Sequence, residues 1–180
     1  MTMWRWLKRA KPEPRRAAPP IWLSGQLLER TAEVLRQSGQ GGQAHEGVVY
    51  WAGRRAGDEY FITTCIAPAA RTTYGSFDTS SRTNAKVIIY LADVGLELLG
   101  QVHSHPGASV AHSAGDDERA LMPYEGFLSV VVPHYARRGM RPLTICGIHI
   151  FEDSRFRRLQ EPEIDARFRV VGEFADLRRV

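Results

Sequence analysis

The sequence predicts one mixed α/β (α+β) domain, and three observations carry that expectation. Apolar residues recur at helical spacing just after residue 24, two β-branched and aromatic runs bounded by glycine follow, and three more apolar runs of strand length lie beyond residue 95. At 180 residues the chain has about one ordinary domain's length, and 43% hydrophobic with 24% charged residues is a soluble globular composition.

The elements are read in chain order. Ser24 is placed to cap a helix from Gly25, with Leu28, Ala32 and Leu35 on one face, and Gly39, Gly41 and Gly42 end it. Gly47–Trp51 and Glu59–Ile66, linked by Gly53–Asp58, carry a hairpin signature. Residues 69–83 are rich in Ser, Thr, Gly and Arg and read as a loop. Asn84–Asp93 suits a helix or a strand, because Val87, Ile88 and Leu91 share a helical face inside a β-branched run. Leu96–His103, Phe127–Pro133 and Leu143–Phe151 read as strands, with weaker ones at Phe156–Leu159 and Arg167–Val171.

Several classes are excluded. Cys65 and Cys146 each sit in an apolar run and read as buried core residues, so no disulfide framework organises the chain. No stretch approaches the roughly 18 to 20 apolar residues of a membrane-spanning helix. The net charge of +4 and pI near 9.3 invite a nucleic-acid reading. Residues 1–20, however, hold six cations against Glu13, and the remainder is close to neutral. That leader also holds Pro12, Pro14, Pro19 and Pro20 and reads as a flexible basic arm, with residues 21–180 as the single folded domain. Its only apolar cluster, around Trp4, Trp6 and Leu7, is too short for a secretory signal, so the expected location is cytoplasmic, with neither nucleic acid nor membrane as a partner.

The chemistry concentrates in His103-Ser104-His105-Pro106 and, six residues on, Ser113-Ala114-Gly115-Asp116. Side chains alternate along a strand, so His103 and His105 project to one side and can meet one metal ion. Pro106 stops the strand, and the chain can return Asp116 as a third ligand. Two neutral imidazoles and a carboxylate suit a catalytic zinc whose fourth position holds water of lowered pKa. Glu46, at the mouth of the first hairpin strand, is placed as the general base, and Ser113 as a hydroxyl beside a developing oxyanion. Ser113 and Asp116 also make a good helix N-terminus, a geometry that would hold both side chains rigidly. Asp117 is out of register for a ligand. His45 and His112 read as local or supporting groups, His134 and His149 as satisfied structural histidines.

This joint pattern, with a Glu upstream at the start of a strand, resembles the JAMM signature of the JAB/MPN metalloprotease family at every fixed position, over roughly residues 21–172. The resemblance implies a mixed, curved sheet flanked by helices in a cytidine-deaminase-like layout, and so a helix at 84–93. It implies one zinc per chain on His103, His105 and Asp116, with Glu46 as acid/base and Ser113 on the oxyanion side. Members with an intact site are chiefly peptidases and isopeptidases that cut after the C-terminal glycine of a ubiquitin-like protein. An extended glycine tail would pair with a strand edge, and Thr72–Arg82 is a reasonable flap over that groove. The short chain looks like the prokaryotic branch. There, relatives act beside a ubiquitin-like protein and its activating and conjugating enzymes, in antiphage systems of the Bil or CBASS kind, or on sulfur-carrier proteins in cysteine or cofactor biosynthesis. Other relatives are non-catalytic scaffolds. A RadC-like alternative is disfavoured by Ser104 and Gly107, which depart from that group's motif.

Overall fold

Before the expected helix, Ile21-Trp22-Leu23-Ser24 forms a strand, β1 (Ile21–Ser24), that the sequence reading did not anticipate. These coordinates come from a computed structural model, which describes residues 18–40, 44–118, 120–121 and 123–172. Most of the basic arm, Gly41, Gly42 and the chain end lie outside the described residues.

Helix α1 (Gly25–Ser38) starts where predicted, because the Ser24 hydroxyl accepts the Leu27 N–H at 3.1 Å. Leu28, Ala32 and Leu35 are buried, joined by Leu27 and Thr31. Thr31 Oγ1 donates to the Leu27 carbonyl and accepts the Trp51 indole N–H at 2.9 Å, which ties the helix to the sheet.

Strands β2 (Val48–Ala56) and β3 (Glu59–Ile66) form the expected antiparallel hairpin with a shorter link. Gly53–Ala56 continues the strand, since Arg54 and Arg55 can reach solvent while their backbone pairs with Phe61 and Tyr60. Gly57 and Asp58 make the turn, with Gly57 at φ +59°. A bulge at Ala52/Gly53 brings the backbones so close that a Cβ on Gly53 would lie 1.8 Å from the Phe61 carbonyl oxygen.

The expected loop at 69–83 is instead a small hairpin, β4 (Ala70–Thr73) and β5 (Ser76–Thr79), followed by the first turn of α2 (Ser81–Asp93). Phe77 pins this hairpin down by inserting its ring into the core. The helical choice at 84–93 holds, with Val87 and Leu91 buried.

Strand β6 (Glu97–Ser104) pairs antiparallel with β2 and parallel with β7 (Leu128–Val132), across short helix α3 (Ala114–Glu118). Strands β8 (Gly147–Glu152) and β9 (Arg155–Arg158) extend the sheet antiparallel. Leu143–Ile145 is a 3₁₀ turn and not the start of β8, whose pairing with β7 begins at Val131↔Gly147. Helix α4 (Glu161–Arg167), also unanticipated, leads into β10 (Phe168–Val171), which runs parallel to β1.

One eight-stranded mixed sheet, ordered β10-β1-β3-β2-β6-β7-β8-β9, thus runs through the domain. One face packs with α1 through Leu28, Leu35, Trp51, Val102 and Ile148. The other packs with α2 and the β4–β5 hairpin through Tyr50, Phe77, Leu91 and Phe127. The fold class is the curled, helix-flanked α+β sheet that the sequence predicted. Among the described residues, no helix is long and apolar enough to cross a membrane.

Both cysteines are free, and burial pushes the Cys146 thiol up to about 12. In the folded protein at pH 8, Cys146 should therefore resist iodoacetamide while half-buried Cys65 reacts first, as peptide mass mapping would show. In urea denaturation, Ser24→Ala should cost about 1 kcal/mol and Leu35→Ala about 2–5 kcal/mol.

Candidate metal centre

Strand β6 is hydrogen-bonded on both sides and buried on both faces, so its alternation decides what each face receives. His103 points to the α2 side, fully buried, in register with Val48 and Val131. Ser104 takes the other direction. Its hydroxyl accepts the Gly47 N–H at 3.0 Å and its own N–H donates to the Gly47 carbonyl at 3.1 Å. This clasp brings Glu46 to the end of β6.

His105 follows the strand end, held by its N–H on the Val132 carbonyl (2.9 Å) and its carbonyl on the Tyr135 N–H (2.9 Å). Its Nδ1 lies 3.1 Å from the Ser109 carbonyl. A carbonyl only accepts, so Nδ1 carries the proton and the Nε2 lone pair is left for a ligand. That Nε2 is 3.2 Å from His103 Nε2.

Asp116 completes the set from α3, with Oδ1 3.3 Å from His103 Nε2 and Oδ2 3.6 Å from His105 Nε2. Ser113 and Asp116 cap each other: the Ser113 N–H and hydroxyl donate to Asp116 Oδ2 at 2.7 and 2.9 Å, while Ser113 Oγ accepts the Asp116 N–H at 3.2 Å. The hydroxyl expected beside an oxyanion is thus bonded to the carboxylate.

Ligand atoms about 2.0–2.1 Å from a tetrahedral zinc sit about 3.3 Å from one another. The Nε2–Nε2 separation of 3.2 Å matches that edge, each imidazole has a different Asp116 oxygen at 3.3 or 3.6 Å, and one donor atom from each of the three residues falls within 4.8 Å of the other two. Two imidazoles and a carboxylate are also the donor chemistry of a divalent transition metal.

The electrostatics agree. Burial lowers the His103 pKa despite the opposing pull of Asp116. Burial acts downward on His105 too, but Asp116 and the charge of Glu46 outweigh it and the net shift is upward. Burial acts upward on Asp116, yet the two imidazoles facing it and the Ser113 N–H hold its carboxyl well below the usual carboxylate range.

Glu46 is buried, 3% exposed, with its backbone N–H on the Thr73 carbonyl at 2.8 Å. The structure thus brings together all five residues singled out in the sequence: three as a donor triangle, Ser113 clasping one of them, and Glu46 acting on His105 from the side.

Other neighbours were missed. The Phe77 ring packs 5.2 Å from the His103 ring, and its Ser/Thr-rich surroundings gave no signal of that. Tyr135 Oη lies 3.3 Å from the Ala44 carbonyl and 3.2 Å from the Tyr74 carbonyl, joining the hairpin tip to the Glu46 segment. Ser104 was legible, since strand alternation puts it on the face opposite the two histidines.

His45 stays local, with Nδ1 3.2 Å from Thr72 Oγ1. Asp117 pairs with His112 at 2.6 Å and lies outside the triangle. His149 corrects an expectation: its Nδ1 is buried without a hydrogen-bond partner, with the ring stacked 4.0 Å from His112. Burial, then the neighbouring His112, pushes its pKa down to about 4.

Comparison with known proteins agrees with this geometry. The solution structure of protein DSY2949 from Desulfitobacterium hafniense superposes with a TM-score of 0.61 at 19% identity, covering 85% of this chain and 94% of that one. A solution structure of a Salinibacter ruber protein gives 0.52 at 17% identity, covering 78% and 88%. These two likenesses concern the fold alone. A protein of Sinorhizobium fredii named probable metalloprotease y4jG is 37% identical over 107 residues, which cover 57% of this chain and 64% of that protein's length. The family of prokaryotic homologs of the JAB domain matches residues 28–151. Matched over more than half its length, strand β6, α3 and the donor triangle included, the chain belongs to this Prok-JAB family.

Proposed function

We propose that the chain is a zinc-dependent peptidase or isopeptidase, with His103, His105 and Asp116 as metal ligands and Glu46 as acid/base. The observation that carries this reading is the donor triangle with a buried carboxylate held beside it. A divalent ion bound there supplies Lewis acidity, polarising a carbonyl and acidifying water. Glu46 is the group that takes a proton onto its carboxylate and delivers it to the leaving amine nitrogen. The Ser104–Gly47 clasp and the Glu46–Thr73 backbone bond keep that carboxylate in place. Ser113 orients Asp116 through its N–H and hydroxyl, and that hydroxyl would turn from Asp116 Oδ2 to serve the oxyanion side. The name of the Sinorhizobium relative supports the peptidase class.

The substrate we propose is a ubiquitin-like protein, cut after its C-terminal glycine, in a bacterial conjugation system of the antiphage kind acting in the cytoplasm. Its activating and conjugating enzymes would be further partners. A glycine tail is narrow enough to lie extended along the β4–β5 hairpin, whose Thr73 adjoins Glu46 and whose Phe77 adjoins His103.

Elemental analysis of the purified protein should find one zinc per chain, falling to background in His103→Ala and Asp116→Ala. Incubation with ubiquitin-like fusions, read by mass spectrometry, should show cleavage after the terminal glycine. Glu46→Gln should keep its zinc and slow turnover by about 10²–10⁴-fold. Wild-type rates in Glu46→Gln would show that the proton passes through another group.

A further inference from the structure

Behind the donor triangle the sheet carries a buried polar row. Register places Gln101 of β6 opposite Ser129 of β7, and Ser129 opposite His149 of β8, all on the face that carries His103. Gln101 and Ser129 are fully buried. Among the described residues, the buried side-chain polar atoms without a hydrogen-bond partner are Gln101 Oε1, Gln101 Nε2, His103 Nδ1 and His149 Nδ1. A primary amide buried with neither end bonded opposes folding, and a row of apolar residues would avoid that cost. The first three of these atoms belong to residues two apart on one face of one strand, with Cα atoms about 6.6 Å apart at a rise of about 3.3 Å per residue. A glutamine side chain and an imidazole together span that gap.

The far end of the row is already bonded, and with a neutral His112 it runs in one direction. Asp117 Oδ1 lies 2.6 Å from His112 Nδ1, and a carboxylate only accepts, so Nδ1 carries a proton. A neutral His112 then has only its Nε2 lone pair to offer, and Ser129 Oγ, 2.8 Å away, donates its hydroxyl proton to it. The Ser129 oxygen is left as an acceptor. The next donor in register along the row is the Gln101 amide, and His103 Nδ1, the nitrogen that a metal does not take, stands two residues on along the same face. Stacking on His149 at 4.0 Å and an edge contact with Phe156 at 4.9 Å hold the His112 ring in this plane.

We propose that Gln101 is a positioning residue of the metal centre, accepting the Nδ1–H of His103 and donating to Ser129. A single directional chain then runs His103 → Gln101 → Ser129 → His112 → Asp117. Anchored at a carboxylate, it allows His103 one tautomer and aims its Nε2 lone pair at the donor triangle. The same chain ties β6 and β7 to α3, the helix that brings Asp116. A metal-bound histidine commonly has such a partner on its other nitrogen, and losing that partner costs about 10–100-fold in metal affinity. His105 has the Ser109 carbonyl for this purpose; His103 has Gln101.

The proposal rests on the metal-centre reading above, and the test separates the two. Zinc affinity is measured by chelator competition, with the visible spectrum of the cobalt form as a second readout, for wild type, Gln101→Met, Gln101→Glu and Ser129→Ala. Gln101→Met should bind zinc about 10–100-fold more weakly and alter the cobalt spectrum, while its metal-free form melts at or above the wild-type temperature. Gln101→Glu keeps the acceptor oxygen for His103 while losing the donor to Ser129, and should bind zinc more tightly than Gln101→Met. Ser129→Ala removes only a hydroxyl and should weaken binding in the same direction, which keeps the test alive if Gln101→Met fails to fold. Wild-type affinity and an unchanged cobalt spectrum in both Gln101→Met and Ser129→Ala would overturn the role of Gln101 and leave the metal centre standing. A wild-type protein that binds no metal would overturn both.

Discussion

The pleat of β6 is the constraint on which the site depends. Hydrogen bonds to β2 and β7 fix this strand on both sides, so its side chains have no freedom to choose a face. His103 goes toward α2, Ser104 goes the other way, and His105 emerges at the strand end beside it. A slip of one residue in the β6 register would exchange the imidazole for the hydroxyl and dismantle both the donor triangle and the clasp on Gly47. The positions of Glu46, Asp116 and the β4–β5 hairpin are all set against this strand.

Burying two imidazoles and a carboxylate together is unfavourable unless each is paired. Here the three groups face one another: both imidazoles lie against the carboxylate, and Ser113 donates its N–H and hydroxyl to it. The same contacts serve helix α3, which at five residues has too few internal hydrogen bonds to be stable by itself. Local helix capping and construction of the site are therefore one set of interactions. The cap that Ser113-x-x-Asp116 suggested as a sequence is present, and it sets Asp116 beside the two imidazoles.

Signals carried by neighbouring residues were legible. Ser24 before an apolar helical period, the β2–β3 hairpin and the His-x-His alternation each depend on a few adjacent positions, and each is present, the hairpin with a shorter link than the sequence placed there. The features missed depend on distant partners. Strand β1 is four residues long, too short to show a period, and owes its state to parallel pairing with β3 and β10. The β4–β5 hairpin lies in polar sequence and is fixed by Phe77 and by the Glu46–Thr73 bond. Helix α4 did leave a trace: Pro162 in its first turn and Glu163 accepting the Gln160 N–H at 2.9 Å are start signals that the sequence displays. At the site, the grouping of His103, His105 and Asp116 could be read from spacing. Their supports, Gln101, Ser129 and His112, required the sheet register, because no sequence interval links β6 to β7.

X-ray absorption at the metal edge of the zinc-loaded protein tests the central claim most directly, because it reads the donor atoms themselves. A centre built on His103, His105 and Asp116 predicts outer-shell scattering from two imidazoles, nitrogen and oxygen in the first shell, and no sulfur. Sulfur scattering, or an imidazole signal unchanged in His103→Ala, would place the metal elsewhere and contradict the account.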